Sequence, residues 1–204
     1  MYWVISIPPK YVNRPDDPDG HAECVITSDD EKCLFDCSAM LTEGVPQAIP
    51  NIIAIKESAT DGLGIFAARD IAHSELLFAE RPLLVCPTVQ PSSFYPGEGY
   101  TREDLLKRMS FEREQKLESA LNRMNDDKKA AYIALSNSIK ESGALSGIQE
   151  TNYFGLDLNK LTRNGGVVLE SDELHDVAEK IELSPQEENI YAFTAKTASR
   201  MNHR

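Results

Sequence analysis

Four short apolar runs separated by turn-forming residues constrain the fold of this chain most strongly. They occupy residues 52–55, 65–67, 76–79 and 83–85. Runs of this length, bounded by turns, are typical of strands. The sharpest break is Asp61-Gly62, a pair that favours chain reversal, and the nearby Gly64 would let another group approach the backbone closely. We therefore expect several short strands packed as a small sheet.

A helical pattern replaces the strand pattern after the loop at residues 87–99. Thr101 and Asp104 have the spacing of a helix-opening capping box. The inward face of this first helix is predicted to carry Leu117, Ala120, Leu121 and Met124, and its outer face Glu112, Arg113, Glu114, Lys116 and Glu118. A second helix is expected to start at Asn125 or Asp126, to turn Tyr132, Leu135 and Ile139 inward, and to end at Gly143. Strands and helices together predict an α+β protein.

The chain divides into an extension and one domain. Residues 1–50, with several proline and glycine turns, are predicted to be mostly irregular. Residues 51–204 form the predicted domain, with strands at 51–86, a helical insert and middle segment at 100–190, and a final motif at 191–204. Within the middle segment, helices are expected to begin at Ser171 and Ser184. The acid-rich residues 170–188 are either a solvated face or a docking surface for a basic partner.

The charge balance limits the partners of this protein. Thirty-three acidic residues against twenty-one basic residues give a formal net charge of -12, without a basic stripe that could neutralise phosphates. We therefore expect no direct nucleic-acid binding, whereas a lysine-rich partner is compatible with the charge. No apolar run is long enough to cross a bilayer, so we expect no membrane association and an intracellular protein, nuclear or cytoplasmic.

The cysteines leave two interpretations open. His21, Cys24, Cys33 and Cys37 are residue types that bind zinc. Their spacing lacks the paired C-x2-C elements of firm zinc sites, and cysteines also serve as small buried hydrophobic residues. The sequence favours reduced, buried thiols over a metal site.

Two stretches far apart in the chain resemble motifs of one enzyme family. The first is Gly62-Leu63-Gly64-Ile65-Phe66-Ala67-Ala68-Arg69-Asp70-Ile71, continued by Glu80-Arg81-Pro82-Leu83. The second is Ser199-Arg200-Met201-Asn202-His203, which resembles the opening of an R-x-N-H-S-C-x-P-N motif. In this order they resemble the SET-domain protein-lysine methyltransferases, in particular fungal proteins related to the SET-and-MYND group. The resemblance implies a SET-like fold with an inserted helical region.

The resemblance also implies a cofactor, a substrate class and site residues. The cofactor would be S-adenosylmethionine, held at Gly62, Leu63 and Gly64. Asn152, expected in a strand, would reach the methionine end of the cofactor, while Asn202 and His203 would contact its adenine and ribose. The substrate would be a lysine-containing protein or peptide, with histones among the candidates. Composition leaves the oligomeric state, the lysine and the degree of methylation open.

The sequence departs from the family pattern at Arg204. The family motif continues with serine and cysteine, a further strand and a tyrosine that helps to deprotonate the lysine. We therefore expect a chain that is truncated within the motif, inactive alone and without an assignable catalytic residue, with an open sheet edge and exposed apolar surface. The alternatives are a non-catalytic SET-scaffold module that binds a basic protein and an α+β protein whose motif matches are accidental.

Overall fold

The computed structural model describes residues 2–7, 20–27, 51–59, 62–88, 99–157 and 190–200. Helices and strands both occur in these ranges, which confirms the α+β class. The strands are β1 Tyr2–Ile7, β2 Ala22–Thr27, β3 Ile53–Glu57, β4 Leu63–Ala67, β5 Leu84–Pro87, β6 Tyr153–Asp157 and β7 Ile190–Thr194. The α-helices are α1 Arg102–Leu121, α2 Asp126–Ile133 and α3 Ala144–Asn152, and short 3-10 turns lie at Lys140–Ser142 and Ala198–Arg200.

Five of the strands form the main sheet, in the order β1-β2-β5-β7-β6. β2 and β5 run parallel, with Cys24 opposite Val85, and the other neighbours are antiparallel. Apolar side chains are buried on both faces of this sheet, because Val25 and Leu84 belong to one core cluster and Cys24 and Val85 to another. Such two-sided burial explains the continuous apolar run at residues 83–85.

The main sheet crosses the boundary that the sequence suggested at residue 50. β1 and β2 precede that boundary, yet β2 pairs directly with β5. Residues 22–27 thus form a strand, and the apolar residues 2–7 form its antiparallel neighbour. These described parts of residues 1–50 fold onto the rest of the chain. The remaining positions of that extension lie outside the described residues.

One core cluster joins the helices to the main sheet. Its helical members include Leu117 of α1, Tyr132 of α2 and Ile148 of α3, all buried against sheet residues such as Leu84 and Ala192. Tyr132 also donates its hydroxyl to the Leu145 carbonyl at 3.1 Å. The helical spacing predicted the inward positions of α1 correctly, because Leu117, Ala120 and Leu121 are all buried. Met124 is buried too, although α1 ends before it.

The caps of α1 and α2 match the sequence expectations. Thr101 Oγ1 accepts the backbone N–H of Asp104, and the Asp104 carboxylate accepts the N–H of Thr101. Asn125 caps α2 by accepting the N–H of Lys128 at 2.8 Å. Both caps satisfy donors that the first helical turn leaves free, so these helix starts are set locally.

The predicted outer face of α1 is only partly correct. Glu112 and Lys116 are buried, although the pattern placed both toward solvent. The reason is that α1 lies between α3 and strands β1 and β2, so its flanks are covered. Lys116 Nζ lies 4.8 Å from the centre of the Tyr2 ring, and burial lowers the pKa of this lysine.

The second predicted helix is shorter than expected. α2 ends at Ile133, well before Gly143, and Ile139 is exposed instead of facing the core. α3 then starts directly after Gly143, a helix that the sequence pattern did not predict. The expected helices at Ser171 and Ser184, together with the whole acid-rich segment 170–188, lie outside the described residues.

β3 and β4 form a separate two-stranded antiparallel sheet in which Ile55 lies opposite Ile65. The short runs of the sequence therefore form two sheets, because β5 joins the main sheet. Residues 76–79, predicted as a strand, have no regular structure. Gly62 and the β3–β4 pairing confirm the predicted chain reversal at this point.

Candidate functional site

The turn before β4 depends on the backbone conformation of Gly62. This residue has φ of 52°, a region that side chains other than glycine rarely adopt. The Ser58 N–H donates to the Gly62 carbonyl at 2.8 Å and closes the turn. A Cβ built on Gly62 would meet no atom within 4 Å, so the space beside it is open.

Gly64 is less open than the sequence suggested. It is buried on β4, and an added Cβ would lie 3.3 Å from the Phe66 ring. The group that approaches Gly64 closely is thus a side chain of its own strand. Leu63, between the two glycines, is 42% exposed.

Asn152 is the last residue of α3, whereas the sequence interpretation placed it in a strand. β6 begins one residue later, at Tyr153. The Asn152 amide nitrogen donates to the Ser136 carbonyl at 2.6 Å and to the Ile148 carbonyl at 2.7 Å. Because a carbonyl can only accept, these partners fix the orientation of the amide. Within the described residues, Oδ1 is the side-chain polar atom of Asn152 that has no hydrogen bond.

Ser199 connects Asn152 to the end of the described chain. Its hydroxyl donates to the Asn152 carbonyl at 2.9 Å and accepts the N–H of Ala195 at 3.2 Å. The Ala198–Arg200 turn also lies against β4, with Cα atoms within 8 Å. Three separate stretches therefore meet here. We call β4, Asn152 and residues 197–200 the candidate cofactor surface.

Glu80 holds this surface from a fourth stretch of chain. Its carboxylate accepts the N–H of Thr197 at 2.8 Å and that of Ala198 at 2.5 Å. Glu80 and Ser199 lie within the two sequence motifs, although the motif resemblance implied no role for either residue. The acid in the first motif and the hydroxyl in the second are the sequence features that could have identified these residues. Only the folded chain shows that both act on one turn.

Two predicted site residues cannot be placed, because Asn202 and His203 lie outside the described residues. Of the other four, Asn152 contacts the Ser199 turn, and Leu63 and Gly64 belong to the strand against which that turn packs. Gly62 immediately precedes that strand.

Apolar side chains on the β3–β4 sheet are exposed. Ile55 is 44% exposed and Phe66 is 41% exposed, and Leu63 is comparable. Ile55 and Leu63 lie on the same face of this two-stranded sheet, because side chains alternate along each strand. The surface beside the glycine turn is therefore apolar.

The suggested zinc ligands are only partly within the described residues. Cys24 lies buried in an apolar cluster with Ile7 and Ile26, and burial, with Glu23 as a smaller cause, raises its thiol pKa. Burial also raises the pKa of Cys86 to about 12. Cys33 and Cys37 lie outside the described ranges. Across those ranges, no three His, Cys, Asp or Glu side chains form a group that could hold a metal.

A cleft that the sequence did not predict lies beside the first half of α1. Tyr100, Asp104, Lys107, Arg108 and Phe111 line it. The Arg108 guanidinium lies 5.7 Å from the centre of the Phe111 ring. None of these described residues belongs to the candidate cofactor surface, so the cleft is a separate feature.

Comparisons with protein-family models, curated proteins and solved structures found no match to this chain. The helices in the described ranges are all too short or too polar to span a membrane.

Proposed function

We propose that this chain belongs to a SET-type, S-adenosylmethionine-dependent protein-lysine methyltransferase. The observation that carries the proposal is the meeting of three distant stretches at the candidate cofactor surface. The motif resemblance assigns one cofactor to Gly62, Leu63, Gly64, Asn152, Asn202 and His203. The described residues beside these positions lie together, since Ser199 donates to the Asn152 carbonyl and the Ala198–Arg200 turn packs against β4. This convergence favours a shared site over accidental motif matches.

The residues of the surface suit the chemistry of this cofactor. S-adenosylmethionine supplies a methyl group activated by a sulfonium, and its amino-acid end carries an ammonium. Asn152 Oδ1 is an acceptor, which suits an ammonium and not a carboxylate. The open space at Gly62 permits close approach to the backbone, and the exposed Leu63 offers an apolar contact. In this proposal these residues bind and orient the cofactor.

The proposed substrate is the side chain of a lysine in a protein or peptide, histones included. Methyl transfer requires a neutral amine, positioned in line with the bond that breaks. The net charge of -12 favours the approach of a basic partner. We assign no catalytic residue, and we place the protein inside the cell, in the nucleus or the cytoplasm.

Calorimetric titration of S-adenosylmethionine tests the proposal directly. It would use this 204-residue chain and a polypeptide extended through the family's remaining motif, strand and tyrosine. We expect the extended polypeptide to bind. Binding by both would mean that the described surface suffices. Binding by neither would overturn the proposal and favour the non-catalytic module, whose affinity for basic peptides should then fall as salt rises.

Substitution of Gly62 by asparagine separates a ligand surface from a simple turn. Asparagine tolerates positive φ better than other side chains, so Gly62→Asn should fold while filling the open space. We expect weaker S-adenosylmethionine binding at an almost unchanged melting temperature. Gly20→Asn is the matched control, because Gly20 has φ of 61° and equally open surroundings next to β2. Equal affinity in Gly62→Asn and wild type would remove this turn from the proposed site.

A further inference from the structure

At the candidate cofactor surface, the Glu80 carboxylate accepts hydrogen bonds from two successive backbone N–H groups. Both of its carboxylate oxygens lie within hydrogen-bond distance of the Thr197 N–H, at 2.8 and 2.9 Å, and one also accepts the Ala198 N–H. Hydrogen bonds from backbone N–H groups to an ionised carboxylate are stronger than those between neutral groups. They also satisfy donors at the start of a turn that has no earlier helical residue to accept them.

Glu80 lies just before β5, at the end of the β5–β7 pair where the chain also leaves β7. Leu83, three residues later, donates its N–H to the Thr194 carbonyl at 2.8 Å, where β5 begins to pair with β7. Glu80 and the turn at residues 197–200 therefore leave the β5–β7 pair at the same end. The carboxylate joins the entry to β5 with the exit from β7.

Ser199 transmits this restraint to Asn152. The Arg200 N–H donates to the Thr197 carbonyl at 2.9 Å, which closes the turn around Ser199. The Ser199 hydroxyl then reaches the Asn152 carbonyl. One end of the turn is thus held by Glu80 and the other by the residue to which the ammonium end of the cofactor is assigned.

We propose that Glu80 is a positioning residue for cofactor binding, which acts through the 197–200 turn and Ser199 on Asn152. The proposal rests on the proposed function, since it concerns the same surface. Glu80 itself does not touch the cofactor. Its substitution should change the affinity for S-adenosylmethionine by loosening the turn, and Ser199 should be required for the effect.

The test combines cofactor affinity with amide hydrogen exchange, in whichever of the two polypeptides described above binds S-adenosylmethionine. Glu80→Gln retains the size of the side chain but removes its charge. We expect faster exchange at Thr197 and Ala198 and about tenfold to hundredfold weaker binding, as the loss of charged hydrogen bonds implies. Glu118→Gln is the matched control, because it removes an equal charge from an exposed position near the end of α1, away from β4 and residues 197–200. It should change neither measurement.

Ser199 variants provide the second arm. Ser199→Ala should weaken S-adenosylmethionine binding, whereas Ser199→Thr, which retains a hydroxyl, should bind with an affinity close to that of the wild type. Because Glu80 and Ser199 act through one turn, the double variant Glu80→Gln/Ser199→Ala should lose less than the product of the two single effects. Faster exchange in Glu80→Gln with unchanged affinity, or fully independent effects, would overturn the positioning role while the proposed function stands. Absence of wild-type binding in both polypeptides would overturn the proposed function and this role with it.

Discussion

The main sheet with its helices and the β3–β4 sheet are built in contrasting ways. In the first region Leu84, Leu117 and Tyr132 are completely buried. In the second, Ile55 and Leu63 expose more than two fifths of their surface. The loop after β4 is closed by the exposed ion pair between Arg69 and Glu75 instead of by an apolar core.

This difference separates stability from the proposed function. Burial of apolar surface supplies most of the free energy of folding, so the main sheet and helices are expected to dominate unfolding. Surfaces that bind ligands commonly belong to the less stable parts of a protein. The candidate cofactor surface lies where the two regions meet, because Asn152 is anchored in the first region and β4 belongs to the second.

The largest effect should come from shortening a core leucine. Leu117→Ala should lower the free energy of unfolding by about 2–5 kcal/mol, since it removes buried methyl groups and leaves a cavity. The same change at exposed Leu63 should cost less than about 1 kcal/mol. Urea denaturation measures both. Equal losses of stability would show that β4 contributes to the cooperative core and would contradict the contrast between the two regions.

The second-largest loss of stability should come from removing the charged partner of the buried Glu23. Glu23 is 2% exposed, and its carboxylate accepts the Arg123 guanidinium at 3.1 Å and the Ser6 hydroxyl at 2.8 Å. Arg123→Ala should destabilise the protein by about 1.5–3 kcal/mol, because the carboxylate loses a charged partner while it remains buried. Lys107→Ala, which breaks the exposed pair with Glu103, should cost about 0.5 kcal/mol or less by the same denaturation assay.

Substitution of Asn152 should affect both the stability of the main sheet with its helices and the binding of the cofactor. Asn152→Ala removes the amide that links α3 to the Ser136 carbonyl, and we expect a loss of about 1–2 kcal/mol. Asn122→Ala, which removes an exposed acceptor for Lys129, should change the stability by less than about 0.5 kcal/mol. If Asn152→Ala weakened cofactor binding without lowering the free energy of unfolding, Asn152 would belong to the candidate cofactor surface alone.

The smallest effect should be a pH dependence in the loop after β4. Hydrogen bonds from Arg69 and, second, from the Ala72 N–H lower the pKa of Glu75 from its ordinary 4.5 to about 2. A lowered folded-state pKa stabilises the protein above the unfolded value and loses this contribution as the pH falls from about 4.5 to 2. The melting-temperature difference between wild type and Glu75→Gln should therefore shrink across that window. Arg69→Met should reduce the same dependence, and an unaltered profile would argue against this pair.

Local signals predicted well wherever neighbours in sequence decide the structure. Thr101 and Asp104 predicted the start of α1, and the Asp-Gly pair predicted the reversal before β4. The same approach was wrong for Lys116, because its burial depends on Tyr2, which is distant in sequence. It was also wrong for the length of α2, because periodicity did not reveal a separate helix after Gly143. The motif resemblance, for its part, placed Asn152 in a strand, whereas this residue ends that helix.

The sequence by itself determined the α+β class, the caps of α1 and α2 and the inward face of α1. These features depend on backbone geometry and side-chain spacing within a few residues. Only the tertiary structure decided that β1 and β2 join the main sheet and that Glu80, Ser199 and Asn152 meet at one turn. The physical reason is that such contacts join residues separated by dozens of positions, and the free energy of packing the whole chain selects them.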